Sequence, residues 1–113
     1  MAKTLFEKIC DKELPANIVY EDELCVAFKD INPGAPTHVL LVPRKPIPKL
    51  TDATAEDRDL LGHLMLTAAK LAQQLGVGDA FRLAMNNGAG AGQSVFHLHL
   101  HILGGRPMKW PPG

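Results

Sequence analysis

Residues 96–103 read Phe-His-Leu-His-Leu-His-Ile-Leu, and three imidazoles at a spacing of two point to chemistry rather than packing. The alternation predicts a β-strand over 96–103, with His97, His99 and His101 on one face and Phe96, Leu98, Leu100 and Ile102 on the face that buries. Same-face Cβ atoms on a strand lie about 6.6 Å apart, so neighbouring rings reach one substrate group. Neutral imidazole, with a free pKa of about 6.5, is a nucleophile at neutral pH and an acid once protonated. Immediately upstream, Asn87-Gly-Ala-Gly-Ala-Gly-Gln-Ser94 is rich in glycine but lacks the lysine of a P-loop and leads into a strand instead of a helix. Gln93 and Ser94 add side-chain donors to its backbone amides, an arrangement suited to an anion. Imidazoles beside such a loop imply attack on phosphorus: His99, flanked on both sides, is the natural nucleophile, and His97 or His101 orients the phosphoryl oxygens or protonates the leaving group. No carboxylate cluster is placed to hold magnesium, so transition-state charge falls to imidazolium, backbone N–H groups, Asn86, Gln93 and Ser94. A His-x-His zinc site would want a Cys, Asp or Glu nearby, and none is close in sequence. The expectation is therefore no metal and no cofactor.

The elements that must position these residues fit in one domain of 113 residues. Lys plus Arg and Asp plus Glu each number 12, which leaves no global field to recruit nucleic acid or an anionic membrane. With neither a signal-peptide core nor an 18-residue apolar run, a cytoplasmic location is expected. Cys10 and Cys25 are expected to be reduced packing residues.

Thr4–Asp11 predicts a short helix with a capping box from Thr4 and Glu7 and an apolar side of Leu5, Phe6 and Ile9. Residues 18–20 and 24–28 read as a hairpin, and the loop 30–36 presents Asp30 just past a strand end. Residues 37–42 are a further strand whose one polar interior residue is His38. The long helix opens at 54–57 and closes at Gly76, with a core stripe of Leu60, Leu64, Ala68, Leu71 and Leu75 widened by Leu61, Met65 and Ala72. It is expected to cover the face bearing Phe96, Leu98, Leu100 and Ile102. His63, beside that stripe, reads as a helix-surface residue. Phe81–Asn86 alternates as a strand, and the tail carries the sole tryptophan, Trp110.

The stretch Gly92-Gln-Ser-Val-Phe-His-Leu-His-Leu-His-Ile-Leu-Gly-Gly105 resembles the histidine triad (HIT) superfamily, whose motif is His-φ-His-φ-His-φ-φ with φ hydrophobic. Residues 4–9, 28–31, 35–38 and 61–65 and the ending Trp110-Pro-Pro-Gly113 are similar to its Hint branch, the histidine triad nucleotide-binding proteins. The resemblance implies an α+β fold, a five-stranded antiparallel sheet with one long and one short helix, and a homodimer whose sheets join into ten strands. In that arrangement residues 104–113 reach the partner subunit. It also implies a purine nucleoside phosphoramidase that releases nucleoside monophosphate, such as AMP or GMP, from P–N and acyl-adenylate substrates. Carried over by residue, His99 forms a nucleotidyl-enzyme, His101 contacts the phosphate and assists proton transfer, and His97 with His38 supports the row. Asn86, Gly92, Gln93 and Ser94 line the phosphate site, with Ser94 near the leaving group. Asp30 accepts the ribose hydroxyls; Leu5, Phe6, Ile9, Phe28 and Ile31 sandwich the base; Trp110 lies near the other subunit's leaving-group pocket.

Two places depart from the family. Some relatives hold structural zinc through Cys-x-x-Cys and a later histidine where this chain has Thr4, Glu7 and Pro46, so no zinc is expected. Gly90-Ala91 stands where relatives often carry an acidic residue and a glycine. The competing functions are a dinucleoside polyphosphate hydrolase with the same nucleophile, a nucleotide-binding scaffold whose hydrolysis is incidental, and a metal-binding module.

Overall fold

The computed structural model describes residues 2–113. Five strands form one antiparallel sheet: β1 (Ile18–Glu21), β2 (Cys25–Lys29), β3 (Thr37–Pro43), β4 (Phe81–Ala84) and β5 (Leu100–Gly104), in the spatial order β1-β2-β3-β5-β4. The short helix α1 (Leu5–Cys10) and the long helix α2 (Arg58–Gln74) complete the α+β architecture expected from the sequence.

The two faces of the sheet bury separate clusters. Cys25, Ala27, Val39, Leu41, Leu98, Leu100 and Ile102 pack with Leu64, Ala68, Leu71 and Ala72 of α2. On the opposite face Val26, Phe28, Leu40 and Val42 pack with Phe6, Ile9 and Cys10 of α1. This follows from the period of two in β2 and β3, whose adjacent apolar residues serve opposite faces. Each helix is started by a capping box, Thr4 with Glu7 for α1 and Thr54 with Asp57 ahead of α2. The chain leaves α2 through Gly76 at φ +82°, a left-handed conformation that glycine adopts without a steric penalty.

Two expectations about the core are corrected. The regular strand begins at Leu100 and not at 96, because the upstream backbone is committed elsewhere: the Leu98 N–H donates to the carbonyl of Ile47 at 2.7 Å. Phe96 consequently lies off the sheet and is 45% exposed, whereas Leu98, Leu100 and Ile102 do face α2. Met65 sits at the margin of the helical stripe and is 52% exposed, so Leu64, Ala68, Leu71 and Ala72 carry the contact without it.

The antiparallel pairing of β3 with β5 sets Leu40 opposite His101 and His38 opposite Leu103. His38 and Leu40 are two residues apart on one strand, so His38 and His101 share the sheet face on which α1 lies. Both cysteines are free and buried, and burial raises their thiols to about 11 for Cys10 and about 12 for Cys25. No helix among the described residues is long and apolar enough to cross a membrane.

Candidate active site

A cleft of about 720 Å³ opens on the α1 face. Its apolar lining comes from Leu5, Phe6 and Ile9 of α1, from Phe28 of β2, and from Ile31 and Leu40. The polar groups Asp30, Ser94, His99 and His101 line the same cleft. The five apolar residues singled out from the sequence thus share one wall system, and Ile31, 92% exposed, forms its outer lip.

The hydrogen bonds fix a tautomer on each ring. A backbone carbonyl can only accept, so His99, whose Nδ1 lies 2.7 Å from the carbonyl oxygen of His97, carries its proton on Nδ1. The neutral ring then has its lone pair on Nε2. His97 places Nε2 2.7 Å from the carbonyl of Pro43 and Nδ1 2.9 Å from the hydroxyl of Thr4, so its proton is on Nε2. Gly34 donates its N–H to His38 Nδ1 at 2.9 Å, which leaves the His38 proton on Nε2, 2.9 Å from His101 Nδ1. His101 is therefore protonated on Nε2, and that buried N–H has no partner among the described residues. An unpartnered buried donor on a residue that lines the cleft is a site for an incoming acceptor.

Burial depresses the pKa of His97 and of His99, because desolvation disfavours the charged ring. For His101 burial comes first, followed by the neighbouring His99 and His38, and together they lower it to about 4. The row is thus neutral at pH 7, the state in which His99 Nε2 can attack. Phe6 packs against it edge-to-face, its ring centroid 4.9 Å from that of His99 and 6.0 Å from that of His97. Asp30 is held by the N–H of Asn32, donated to its Oδ1 at 2.8 Å, with Oδ2 3.5 Å from His38 Nε2.

Two residues of the glycine-rich loop, Gln93 and Gly92, lie outside the cleft lining. Gln93 is buried and its amide is spent on the backbone: Nε2 donates to the carbonyls of Pro48 and Val95, and Oε1 accepts the Gly88 N–H. It pins the loop and does not line the cleft; Ser94, the next residue, does. Asn86 and Gly92 also lie outside the cleft lining and beside each other, with Asn86 Nδ2 3.7 Å from where a Cβ on Gly92 would stand. Trp110 is 81% exposed and lines no part of this cleft.

Thr4 and the carbonyl of Pro43 were not legible as partners of the row, since Thr4 reads locally as a helix cap and lies 93 residues from His97. His63 is likewise more than a surface residue. Its Nε2 lies 2.7 Å from Asp22, whose carboxylate also accepts from Tyr20, Leu24 and Cys25. Burial would raise the Asp22 pKa, but hydrogen bonds from the Leu24 N–H, His63, Tyr20 and the Cys25 N–H outweigh it and lower it.

Two groups of side chains bring metal-ligating atoms within 4.8 Å of one another, Asp22 with Cys25 and His63, and Asp30 with His38 and His101. In the first the Asp22 carboxylate already accepts from the Leu24 and Cys25 N–H groups and Tyr20 and pairs with His63 Nε2. In the second the two imidazole nitrogens face each other in a hydrogen bond. At the positions where some relatives carry zinc ligands, Thr4 and Glu7 serve the capping box and Pro46 offers no side-chain donor atom, so these residues do not fit that ion.

Comparison with known proteins places this arrangement. The HIT domain family model matches residues 11–108. A HIT-like protein of Synechocystis is 66% identical over 110 residues, covering 97% of this chain and 96% of that one. A 14 kDa zinc-binding protein of Zea mays is 48% identical over 112 residues, covering 97% and 88%. The crystal structure of a HIT family hydrolase from Legionella pneumophila superposes with a TM-score of 0.96 at 47% identity, covering 98% of this chain and 100% of that one. With the His-φ-His-φ-His row set in a shared fold and matched along almost its whole length, the chain belongs to the HIT domain family.

Proposed function

We propose that this protein is a nucleotide-binding hydrolase that cleaves the P–N bond of purine nucleoside phosphoramidates, with acyl-adenylates as related substrates. The observation that carries this reading is the tautomer of His99, a buried neutral imidazole with its lone pair on Nε2 and its ring on the cleft. The purine packs on the apolar lining, the ribose hydroxyls donate to Asp30, and the phosphoryl oxygens meet the His101 Nε2–H and Ser94. His99 Nε2 attacks phosphorus, a P–N bond to histidine forms, and the bond to the leaving amine breaks. The bound phosphoryl anion draws a proton from solvent onto His101 Nδ1, the His38 Nε2–H turning to Asp30 Oδ2 3.5 Å away, and the resulting imidazolium gives its Nε2 proton to the departing nitrogen. Water then attacks phosphorus, His101 takes its proton, and nucleoside monophosphate leaves with His99 restored. The family and the hydrolase named among its solved members support this reading.

We also infer a homodimer. β4 is an edge strand of the sheet, and Leu66 on the exposed side of α2 is 76% exposed. Pairing of β4 edges would join two sheets into ten strands and bring each tail, with Trp110, toward the other cleft. Relative turnover of an adenosine 5′-phosphoramidate and of a diadenosine polyphosphate tests the reaction class. The phosphoramidate is expected to be the better substrate by kcat/KM, and the reverse order would assign the site to P–O–P cleavage.

A further inference from the structure

Thr4 stands where the helix that walls the base slot meets the histidine row. We propose that Thr4 is a positioning residue whose hydroxyl anchors the buried His97 ring at Nδ1 and, through the His97 carbonyl, holds the attacking ring of His99. The inference rests on the reading of His99 as nucleophile.

Thr4 Oγ1 accepts the Glu7 N–H at 3.0 Å and lies 2.9 Å from His97 Nδ1. The Pro43 carbonyl, 2.7 Å from Nε2, claims the ring's proton, so Nδ1 of the neutral ring can only accept. The single hydroxyl hydrogen of Thr4 is the one it accepts. His97 is fully buried, and without that hydrogen bond its Nδ1 has no such donor and the ring loses one of its two anchors. The carbonyl that holds His99 belongs to the same residue. Phe6, two residues beyond Thr4, packs edge-to-face with both rings, so the capped helix is in contact with the nucleophile as well as with its support.

The chemistry required is specific. A helix cap needs only an acceptor, which Asp supplies as well as Thr. The bond to His97 needs a donor, which a carboxylate cannot supply; Asp at this position is served only if His97 takes a second proton. Cap and positioning are therefore separable by substitution.

The test compares Thr4→Ser, Thr4→Val and Thr4→Asp by steady-state kinetics on an adenosine 5′-phosphoramidate, by thermal unfolding, and by 15N NMR of the histidine rings. Thr4→Val and Thr4→Asp are expected to lose about 10- to 100-fold in kcat with KM within about threefold, the scale of a misplaced reacting group. Thr4→Ser is expected to rescue kcat. In the spectra, wild-type His97 carries its proton on Nε2, Thr4→Asp shows both nitrogens of His97 protonated, and Thr4→Val keeps the Nε2 proton, held by the Pro43 carbonyl, while the His97 Nδ1 resonance shifts to that of a nitrogen without a donor. The inference is overturned if Thr4→Asp turns over normally with a singly protonated His97, or if Thr4→Val loses thermal stability with kcat and the His97 Nδ1 resonance unchanged. If the wild type itself fails to hydrolyse phosphoramidates, the proposed activity fails, and the ring spectra of the three variants still decide the role of Thr4.

Discussion

His99 Nδ1 lies 2.7 Å from the carbonyl oxygen of His97, and this contact decides which nitrogen of the ring can attack. A carbonyl never donates, so the lone pair of the neutral ring is left on Nε2. The backbone of one histidine thereby sets the chemistry of the next.

His38 does the corresponding work for His101, to which it presents Nε2 at 2.9 Å. In His38→Ala the His101 ring is free to carry its proton on either nitrogen. We expect kcat to fall about 10- to 100-fold with little change in nucleotide affinity, read by steady-state kinetics and by titration with AMP.

The pH dependence follows from burial. His97, His99 and His101 all titrate below the ordinary imidazole value when folded, so the unfolded chain binds more protons as pH falls through about 6.5. Stability is at its plateau above that pH and declines below it, until His101 also protonates in the folded protein at about 4. Urea unfolding at pH 7.5 and at pH 5 should show the lower midpoint at pH 5. The acid limb of kcat/KM, which reports His99 in the free enzyme, should lie below pH 6.5, the value of an exposed imidazole.

In the proposed function Asp30 takes the ribose hydroxyls, and its Oδ1 is fixed by the Asn32 N–H. Asp30→Ala should raise KM for the phosphoramidate so that kcat/KM falls about 10- to 100-fold, in keeping with loss of charge-assisted hydrogen bonds worth about 1.5–3 kcal/mol. A 2′,3′-dideoxy substrate should lose a similar factor with the wild type and little further with the variant.

Gln93 gives a prediction of a different kind, because its amide joins Gly88, Pro48 and Val95. Gln93→Ala leaves the Gly88 N–H and the Pro48 and Val95 carbonyls without their part-buried partner and should lower stability by about 1 kcal/mol, measured by chemical unfolding.

The strand segments, both helices and their caps were legible because each depends on local periodicity and capping chemistry, whereas the joining of the strands into one five-stranded antiparallel sheet came with the family resemblance. The side on which His38, His99 and His101 meet was legible as soon as residues 37–42 and the histidine run were read as strands. What escaped the sequence were contacts between distant segments. Strand β5 starts late because Leu98 bonds to Ile47, and Gln93 faces inward because Pro48 passes beneath it. Thr4 serves two masters, a cap that four residues reveal and a ring that only the fold brings near. His63 likewise looked idle until the hairpin delivered Asp22 to it.

The central claim is that His99 Nε2 attacks phosphorus and carries the nucleotidyl group. The most direct measurement is rapid acid-free quenching of wild type and His99→Ala with an adenosine 5′-phosphoramidate, in the presence of chelator, followed by intact-mass and peptide mass spectrometry. The account predicts an adduct of one nucleotidyl group on the peptide containing His99 in the wild type and none in the variant, with amine release in the variant reduced by at least about a thousandfold. An adduct on another residue, or amine release that persists in His99→Ala, would contradict it.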